Sequence, residues 1–463
     1  MRFYNTKAKM VEEFVPFNDN EVTLYTCGPT VYSYAHIGNL RTYISEDILE
    51  KTLNYLGYNV KRVMNITDVG HLASDADTGD DKMVTSAKKE KKSVLDIAAF
   101  YTDAFFKDCE LLNIKRPEII SPATENIDEF IKIIEKLIKD EYAYIVGGNV
   151  YFDTSKLDNY SVLTAQSGED LLVGVRDDVD TDENKKNKTD FVLWFTKSKF
   201  DDQELKWESP FGLGYPGWHI ECSGISIKYL GEHLDIHCGG VDNIFPHHTN
   251  EIAQSEAYLG HNWCNYWFHA EFLNDGTGKM SKSKGDSLIL NTLISKGYNP
   301  LSYRFMCLNS HYRNQLMFTF EALEGAEVAY NKLKEKVLKL NAVGNINEEE
   351  FNKYDNEFKN TISDNLNTAS TITLIYDLLK SNVDDKTKYE LLTKWDEVLG
   401  LDLIKEKAID KELVKKIEEA IERRNIAKEN KNYAEADKIR EELLQDGIIL
   451  EDSREGTTYK IGG

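Results

Sequence analysis

Two lysines set beside two hydroxyls, in the run Lys279-Met280-Ser281-Lys282-Ser283, are the first residues of this chain whose types and spacing could do chemistry. Ammonium groups neutralise, and hydroxyls hydrogen-bond, the oxygens of a polyphosphate. Far upstream, His36-Ile37-Gly38-Asn39 follows the apolar stretch Val22-Thr23-Leu24-Tyr25-Thr26. A strand that runs through a glycine-containing turn into a helix presents backbone N–H groups and the positive end of the helix dipole to a nucleotide phosphate. Neither run decides anything alone, because a Lys/Ser segment is usually a solvated loop. A third feature is the pair His247 and Glu251. Four residues apart on a helix, they project from one face; such a pair is usually a surface hydrogen bond and only occasionally a metal site. The order His247-His248-Thr249-Asn250-Glu251 lacks the H-E-x-x-H arrangement, which excludes a zinc-protease reading.

The elements that must position these residues read as an α/β fold. Residues 22–26 and 58–67 have strand character, and Ile44, Ile48, Leu49 and Leu53 give 37–56 a helical period. This β-α-β opening predicts a doubly wound parallel sheet, Rossmann-like, for residues 1–114. Helical patterns follow at 95–112 and 125–140. From 115 to 191 the pattern breaks, with strand-like Val150-Tyr151-Phe152 and a charged stretch from Arg176 to Asp190 that reads as a mobile loop. This is an expected insertion in the nucleotide-binding fold, whose second half, 192–318, resumes with the strand Asp235-Ile236-His237 and a helix from His247 to Leu259. Residues 319–404 read as a helical bundle with helices at 332–340, 356–379 and 388–399. Residues 405–463 read as a small α+β tail, with two helices and a strand pair around Ile448-Ile449-Leu450 and Thr457-Thr458-Tyr459.

Composition bounds the reading. At 463 residues the chain is long enough for several domains. No apolar run approaches a membrane span and no signal-peptide core is visible, so a cytoplasmic protein without membrane partners is expected. The six cysteines, Cys27, Cys109, Cys222, Cys238, Cys264 and Cys307, are dispersed, which argues against a disulfide framework. A formal charge of −23 would repel nucleic acid from the average surface. Residues 411–440 run against that field, with nine Lys or Arg against seven Asp or Glu.

Taken together and in this order, the histidine and lysine runs resemble the HIGH and KMSKS signatures of class I aminoacyl-tRNA synthetases. Cys27-Gly28-Pro29-Thr30-Val31-Tyr32, Trp218-His219-Ile220-Glu221-Cys222 and Phe245-Pro246-His247-His248 narrow the resemblance to the cysteinyl-tRNA synthetase family. Physical reasoning leaves a metal site at even odds, since ligands scattered this widely carry no local spacing signal. The resemblance implies that Cys27, Cys222, His247 and Glu251 bind one Zn²⁺ in the amino-acid pocket, with Trp218, His237 and Asp242 beside the substrate cysteine. Such a soft site would favour thiolate over serine hydroxyl, where shape alone separates near-isosteres by only about 10–200-fold. The insertion is short for an editing domain, in keeping with that route to specificity. Cys238 stands where the family has glycine and is expected near the metal without ligating it.

The resemblance implies adenylation of L-cysteine by ATP with Mg²⁺. Thr30, His36, Gly38, Asn39, Lys279, Ser281 and Lys282 would contact ATP, and His36, Asn39, Lys279 and Lys282 would stabilise the reacting phosphates. Asn39 replaces the second histidine of the signature, keeping a donor but losing a possible cation. Thr249, Lys284 and Asp286 are further departures. Lys428, Tyr433, Asp437 and Asp452 match positions that touch anticodon bases of tRNA(Cys), with Tyr433 for a Trp and Lys428 for an Arg. A monomer is expected. Two other readings stay open: a ligase joining cysteine to an amino sugar, for which the region after residue 320 would be superfluous, and a non-catalytic RNA-binding paralogue.

Overall fold

The computed structural model describes residues 1–69, 82–90, 92–164, 184–197, 204–274, 288–405, 411–430, 432–445, 448–453 and 456–461. The lysine run at 279–283, Lys284, Asp286 and most of the stretch 176–190 lie outside the described residues. By contact the chain divides into one unit from Met1 to Ile404 and a second from Lys405 to Gly463.

The first unit is organised by a five-stranded sheet of β1 (Glu21–Thr26), β2 (Asn59–Ile66), β3 (Ile119–Pro122), β4 (Leu234–Gly240) and β5 (Cys264–Ala270), in the order β5-β4-β1-β2-β3. All four pairings are parallel. Such strands are covered on both faces, and seven consecutive residues of β4 are buried, as are five of the six in β1. The chain winds outward from β1 through β2 to β3, then returns on the other side of β1 as β4 and β5. The strand order therefore reverses between β1 and β4, and the crevice beyond their carboxyl ends is where doubly wound sheets bind ligands. Three helices matter most there: α1 (Ile37–Tyr55), α2 (Lys82–Glu90) and α3 (Val94–Leu111).

The insertion differs from its expected boundaries. Ile119–Pro122 falls inside 115–191, yet it pairs with β2 as the edge of the main sheet. The separate antiparallel sheet consists of Ala143–Val146, Asn149–Phe152, Phe191–Phe195 and Tyr215–Pro216, so it runs past 191. A four-residue strand ending at Pro122 has too little period to declare which sheet it joins. The segment is anchored from within: Asn126 Nδ2 donates to the Pro122 carbonyl at 2.7 Å and to Ser121 Oγ at 2.8 Å.

Beyond Met317 come helices Phe320–Leu338, Glu348–Ser363, Thr368–Lys380 and Asp385–Leu399. The single helix expected over 356–379 is broken in two. Asn365 and Leu366 have positive φ, 57° and 52°. The Asn365 side chain accepts from Tyr4 N and from Tyr312 Oη, both at 3.0 Å, contacts that hold the break open. The second unit has helices Lys411–Glu429 and Tyr433–Gln445, the hairpin Ile448–Ser453 with Gly456–Ile461, and its own core of Ile417, Ala420, Ile439, Leu443, Ile448 and Leu450. No helix among the described residues is long and apolar enough to cross a membrane.

Candidate metal centre

Cys27 is the first residue past β1, and the turn after it is tight. A Cβ on Gly28 would lie 1.6 Å from the Asn65 carbonyl oxygen, so only glycine fits. Gly28 N donates to Asn65 Oδ1 at 2.7 Å, Asn65 Nδ2 donates to Thr67 Oγ1 at 3.2 Å, and Thr67 donates to Glu221 Oε2 at 2.7 Å. This chain of contacts joins the neighbour of Cys27 to the neighbour of Cys222, which lies buried in α4 (Trp218–Leu230). His247 is the penultimate residue of the segment Ile244–His248, and Glu251 sits in the first turn of α5 (Thr249–Leu259). Although His247 precedes α5, the helical backbone is continuous enough at this point to bring His247 Nε2 to 3.0 Å from Glu251 Oε1.

One donor atom from each of Cys27, Cys222, His247 and Glu251 lies within 4.8 Å of the others. Cys27 Sγ is 3.8 Å from Cys222 Sγ, and Cys222 Sγ is 3.5 Å from His247 Nε2. Two thiols, an imidazole and a carboxylate are a donor set suited to a borderline-soft divalent ion. Glu251 Oε1 is buried without a hydrogen bond, as expected of a ligand atom awaiting a cation. The residues therefore fit a metal. A second donor set, Cys27, His237, His248 and Glu251, overlaps the first. His248 escaped the sequence reading; its adjacency to His247 and its i,i+3 relation to Glu251 were the available signals.

Burial dominates the electrostatics. It pushes the Cys222 thiol up to about 11 and the Cys27 thiol well above its ordinary value, each raised further by nearby Glu251. It raises the Glu251 carboxyl to about 8 and lowers His237 and His247 to about 3. A site that holds its acids protonated and its imidazoles neutral gives up protons on taking a cation.

The surroundings orient the ligands. Trp218 stacks on His247, centroids 4.1 Å apart. His219 Nδ1 lies 2.9 Å from His247 Nδ1, which leaves Nε2 facing Cys222 and Glu251. On β4, His237 Nε2 is 2.8 Å from Glu251 Oε2 and the ring stacks on Trp267. Alternation along a strand then sends Cys238 to the other face, into the core with Ile236 and Phe268. Cys238 thus adjoins the cluster without joining it: its carbonyl accepts from Cys27 N at 3.3 Å, while its thiol belongs to neither donor set, as expected. Asp242 lies in the single turn Val241–Asn243 after β4 and is not among the gathered donors.

The residues expected at ATP stand at the start of α1. His36 is its N-cap, accepting from Asn39 N on Nδ1 at 3.0 Å. A Cβ on Gly38 would meet the His36 ring at 3.0 Å. Asn39 Oδ1 is buried without a hydrogen bond, and Thr30 bridges to Thr67. Leu288 O accepts from Ile37 N at 2.8 Å and Ile289 bridges to His36, so the first described residues after the lysine run touch this helix start. Lys279, Ser281 and Lys282 themselves are outside the described residues. In the second unit Lys428 is partly buried, Tyr433 is 63% exposed, Asp437 is exposed, and Asp452 belongs to the first strand of the hairpin.

With this geometry in place, similarity to known proteins becomes informative. Residues 13–328 match the family of tRNA synthetases class I (C) catalytic domain. The chain is 47% identical to the cysteine–tRNA ligase of Treponema denticola, covering 99% of both chains, and 43% identical to that of Borrelia turicatae, covering 100% of both. A crystal structure of Mycobacterium tuberculosis methionyl-tRNA synthetase bound by methionyl-adenylate shares the fold at TM-score 0.53 and 14% identity, over 82% of this chain and 90% of that one. The chain belongs to the cysteinyl-tRNA synthetase family of class I aminoacyl-tRNA synthetases.

Proposed function

We propose that this protein is a cysteine–tRNA ligase: it condenses L-cysteine with ATP to cysteinyl adenylate and pyrophosphate, then transfers the cysteinyl group to the 3′ ribose of tRNA(Cys). The observation that carries the reading is the convergence of Cys27, Cys222, His247 and Glu251 within 4.8 Å, at the strand-order reversal of a nucleotide-binding sheet. These four residues would hold zinc. Bound there, the ion would lower the substrate thiol's pKa and select sulfur over the hydroxyl of serine. Trp218 and His237 would wall the side-chain pocket, and Asp242 would face the amine or the ribose.

Activation is an in-line attack of the cysteine carboxylate on the α-phosphate, and the protein's share is positioning and charge neutralisation. His36, at the N-terminus of α1, and Thr30 would contact the phosphates where backbone N–H groups and the helix dipole favour anions. Gly38 would allow close approach and Asn39 would donate an amide hydrogen bond. Lys279, Ser281 and Lys282 would hold the β- and γ-phosphates with their Mg²⁺. The contact of Leu288 and Ile289 with the start of α1 supports bringing that run to the phosphates.

The helical region 319–404 and the tail 405–463 would bind tRNA, with Lys428, Tyr433, Asp437 and Asp452 at the anticodon. The enzyme would work as a cytoplasmic monomer. The amino-sugar ligase reading is not favoured, because full-length similarity extends over both RNA-directed regions. Cysteine-dependent ATP–pyrophosphate exchange followed by tRNA charging tests the proposal. Both should occur; exchange without charging would favour the sugar ligase, and no exchange in zinc-loaded protein would sink both enzyme readings.

A further inference from the structure

The loop that carries Thr30 and His36 also carries Tyr34, 40% exposed, and beside it stands Phe100 of α3, 43% exposed. Their rings meet edge to face, centroids 6.1 Å apart. Tyr101 lies buried beneath them, 5.1 Å from each ring, and its hydroxyl donates to Glu90 Oε1 at 2.5 Å. Lys92 Nζ sits over Phe100, 4.6 Å from the ring centroid, and reaches Glu90 Oε2 at 3.2 Å. Exposed Lys88 and Lys89 close the last turn of α2. The helix is tied to the catalytic loop, since Ser86 Oγ donates to the Tyr32 carbonyl at 2.7 Å.

Paired exposed aromatics are not a solubility device, and this pair lies against cations in a chain of charge −23. Glu90 is the acid in contact with the cluster, and it is already engaged by Tyr101 and Lys92. Aromatic faces beside lysines are the recognition chemistry of single-stranded nucleic acid: rings stack on bases and ammonium groups follow the backbone. An acidic partner is selected by charge, and a base-bearing one by the rings. The position, two residues from His36 on the same loop, is where an RNA end must arrive if it is to receive an aminoacyl group.

We infer that Tyr34, Phe100 and Lys92 form a stacking platform for a base in the single-stranded 3′ end of the tRNA, an inference that rests on the ligase reading above. Exchange by the unmodified protein tests that reading separately, because it needs no tRNA. The platform is tested with Tyr34→Ala, Phe100→Ala and the double variant. The KM for tRNA in charging should rise about tenfold for a single variant, the value of one lost base stack, and Phe100→Tyr should restore it. Lys92→Gln should lessen the salt dependence of tRNA binding by about 0.7 in log–log slope, one single-strand phosphate contact. In binding assays, tRNA trimmed of its unpaired 3′ nucleotides should no longer distinguish variants from parent. An unchanged KM for tRNA in the double variant would overturn the inference. So would a rise in the KM for ATP during exchange, which would give the platform to adenine instead, or an equal loss of affinity for trimmed tRNA.

Discussion

Glu251 touches two histidines, with His247 Nε2 at 3.0 Å on one oxygen and His237 Nε2 at 2.8 Å on the other, while His247 and His248 face Cys222 and Cys27 at 3.5 and 3.3 Å. The cluster is therefore sensitive to which thiol is removed. Cys222→Ala should lose stoichiometric zinc, whereas Cys238→Ala should keep it, because that thiol packs behind the sheet. Elemental analysis after dialysis decides this, and equal zinc in both variants would refute the ligand set. At the other end of the site, Asn39 lacks the cation that a second histidine could carry, so under the proposed mechanism more neutralisation would fall on the lysines. Lys282→Ala should therefore lower the exchange rate by more than the same change in a relative with both histidines; an equal loss would contradict it. The quartet was legible in sequence only through resemblance, since its members are scattered from 27 to 251 and carry no spacing rule. His248 carried a local signal beside His247 and Glu251 that went unused, whereas His219 and the Asn65–Thr67–Glu221 chain were not legible, because what gives them meaning is proximity made by the fold.

Buried charge also binds elements together. Arg304, on α6 (Pro300–Leu308), is fully buried and donates to Asp47 Oδ2 of α1 at 2.6 Å, to the Leu112 carbonyl after α3 at 2.9 Å and to the Leu399 carbonyl at 2.7 Å. One guanidinium thus joins the catalytic layer to the last helix of the bundle. Burial raises the Asp47 carboxyl, but Arg304 and Lys51 outweigh it and hold it below its ordinary value. A depressed carboxyl stabilises the fold above its unfolded pKa, and the contribution is lost as pH falls through the folded value. Asp47→Asn should cost about 3 kcal/mol near neutrality, the usual result of stranding a buried partner. The deficit against the parent should shrink in denaturant melts below about pH 4. Glu46, three residues from Tyr43 on the same helix, has the opposite sign. Burial raises it to about 8, and neither oxygen has a hydrogen-bond partner. Its folded state loses stability as pH rises between the unfolded value and about 8. Glu46→Gln should then stabilise the fold at pH 8.5 by of the order of 2 kcal/mol, read as a higher Tm, and do little at pH 4. A fall in Tm at pH 8.5 would show that the carboxylate is needed. The periodicity of α1 was visible in sequence, but its apolar pattern gave no hint that Glu46, Asp47 and Glu50 are all buried. The bundle break at Asn365 was missed for a related reason: a turn held by distant Tyr4 and Tyr312 leaves no local signature.

For the whole molecule, the question is how a chain of charge −23 handles a polyanion. Long-range attraction cannot do it, so affinity must come from local surfaces that oppose the field. Residues 411–440 are one such segment, with nine basic against seven acidic side chains, and they belong to a unit with its own apolar core. The core clusters of the first unit are complete by Ile404. A protein ending at Ile404 should accordingly fold, bind zinc and catalyse cysteine-dependent exchange within about twofold of the parent, since no ligand or expected phosphate contact is removed. Its kcat/KM for tRNA charging should fall at least about tenfold, because some 1.4 kcal/mol of RNA binding is a modest share for a unit that would read the anticodon. Measuring both reactions on one preparation separates the outcomes. Exchange lost together with charging would mean that the second unit supports the active site. Charging retained at parental efficiency would mean that it reads no RNA, and the anticodon roles of Lys428, Tyr433, Asp437 and Asp452 would fall with it.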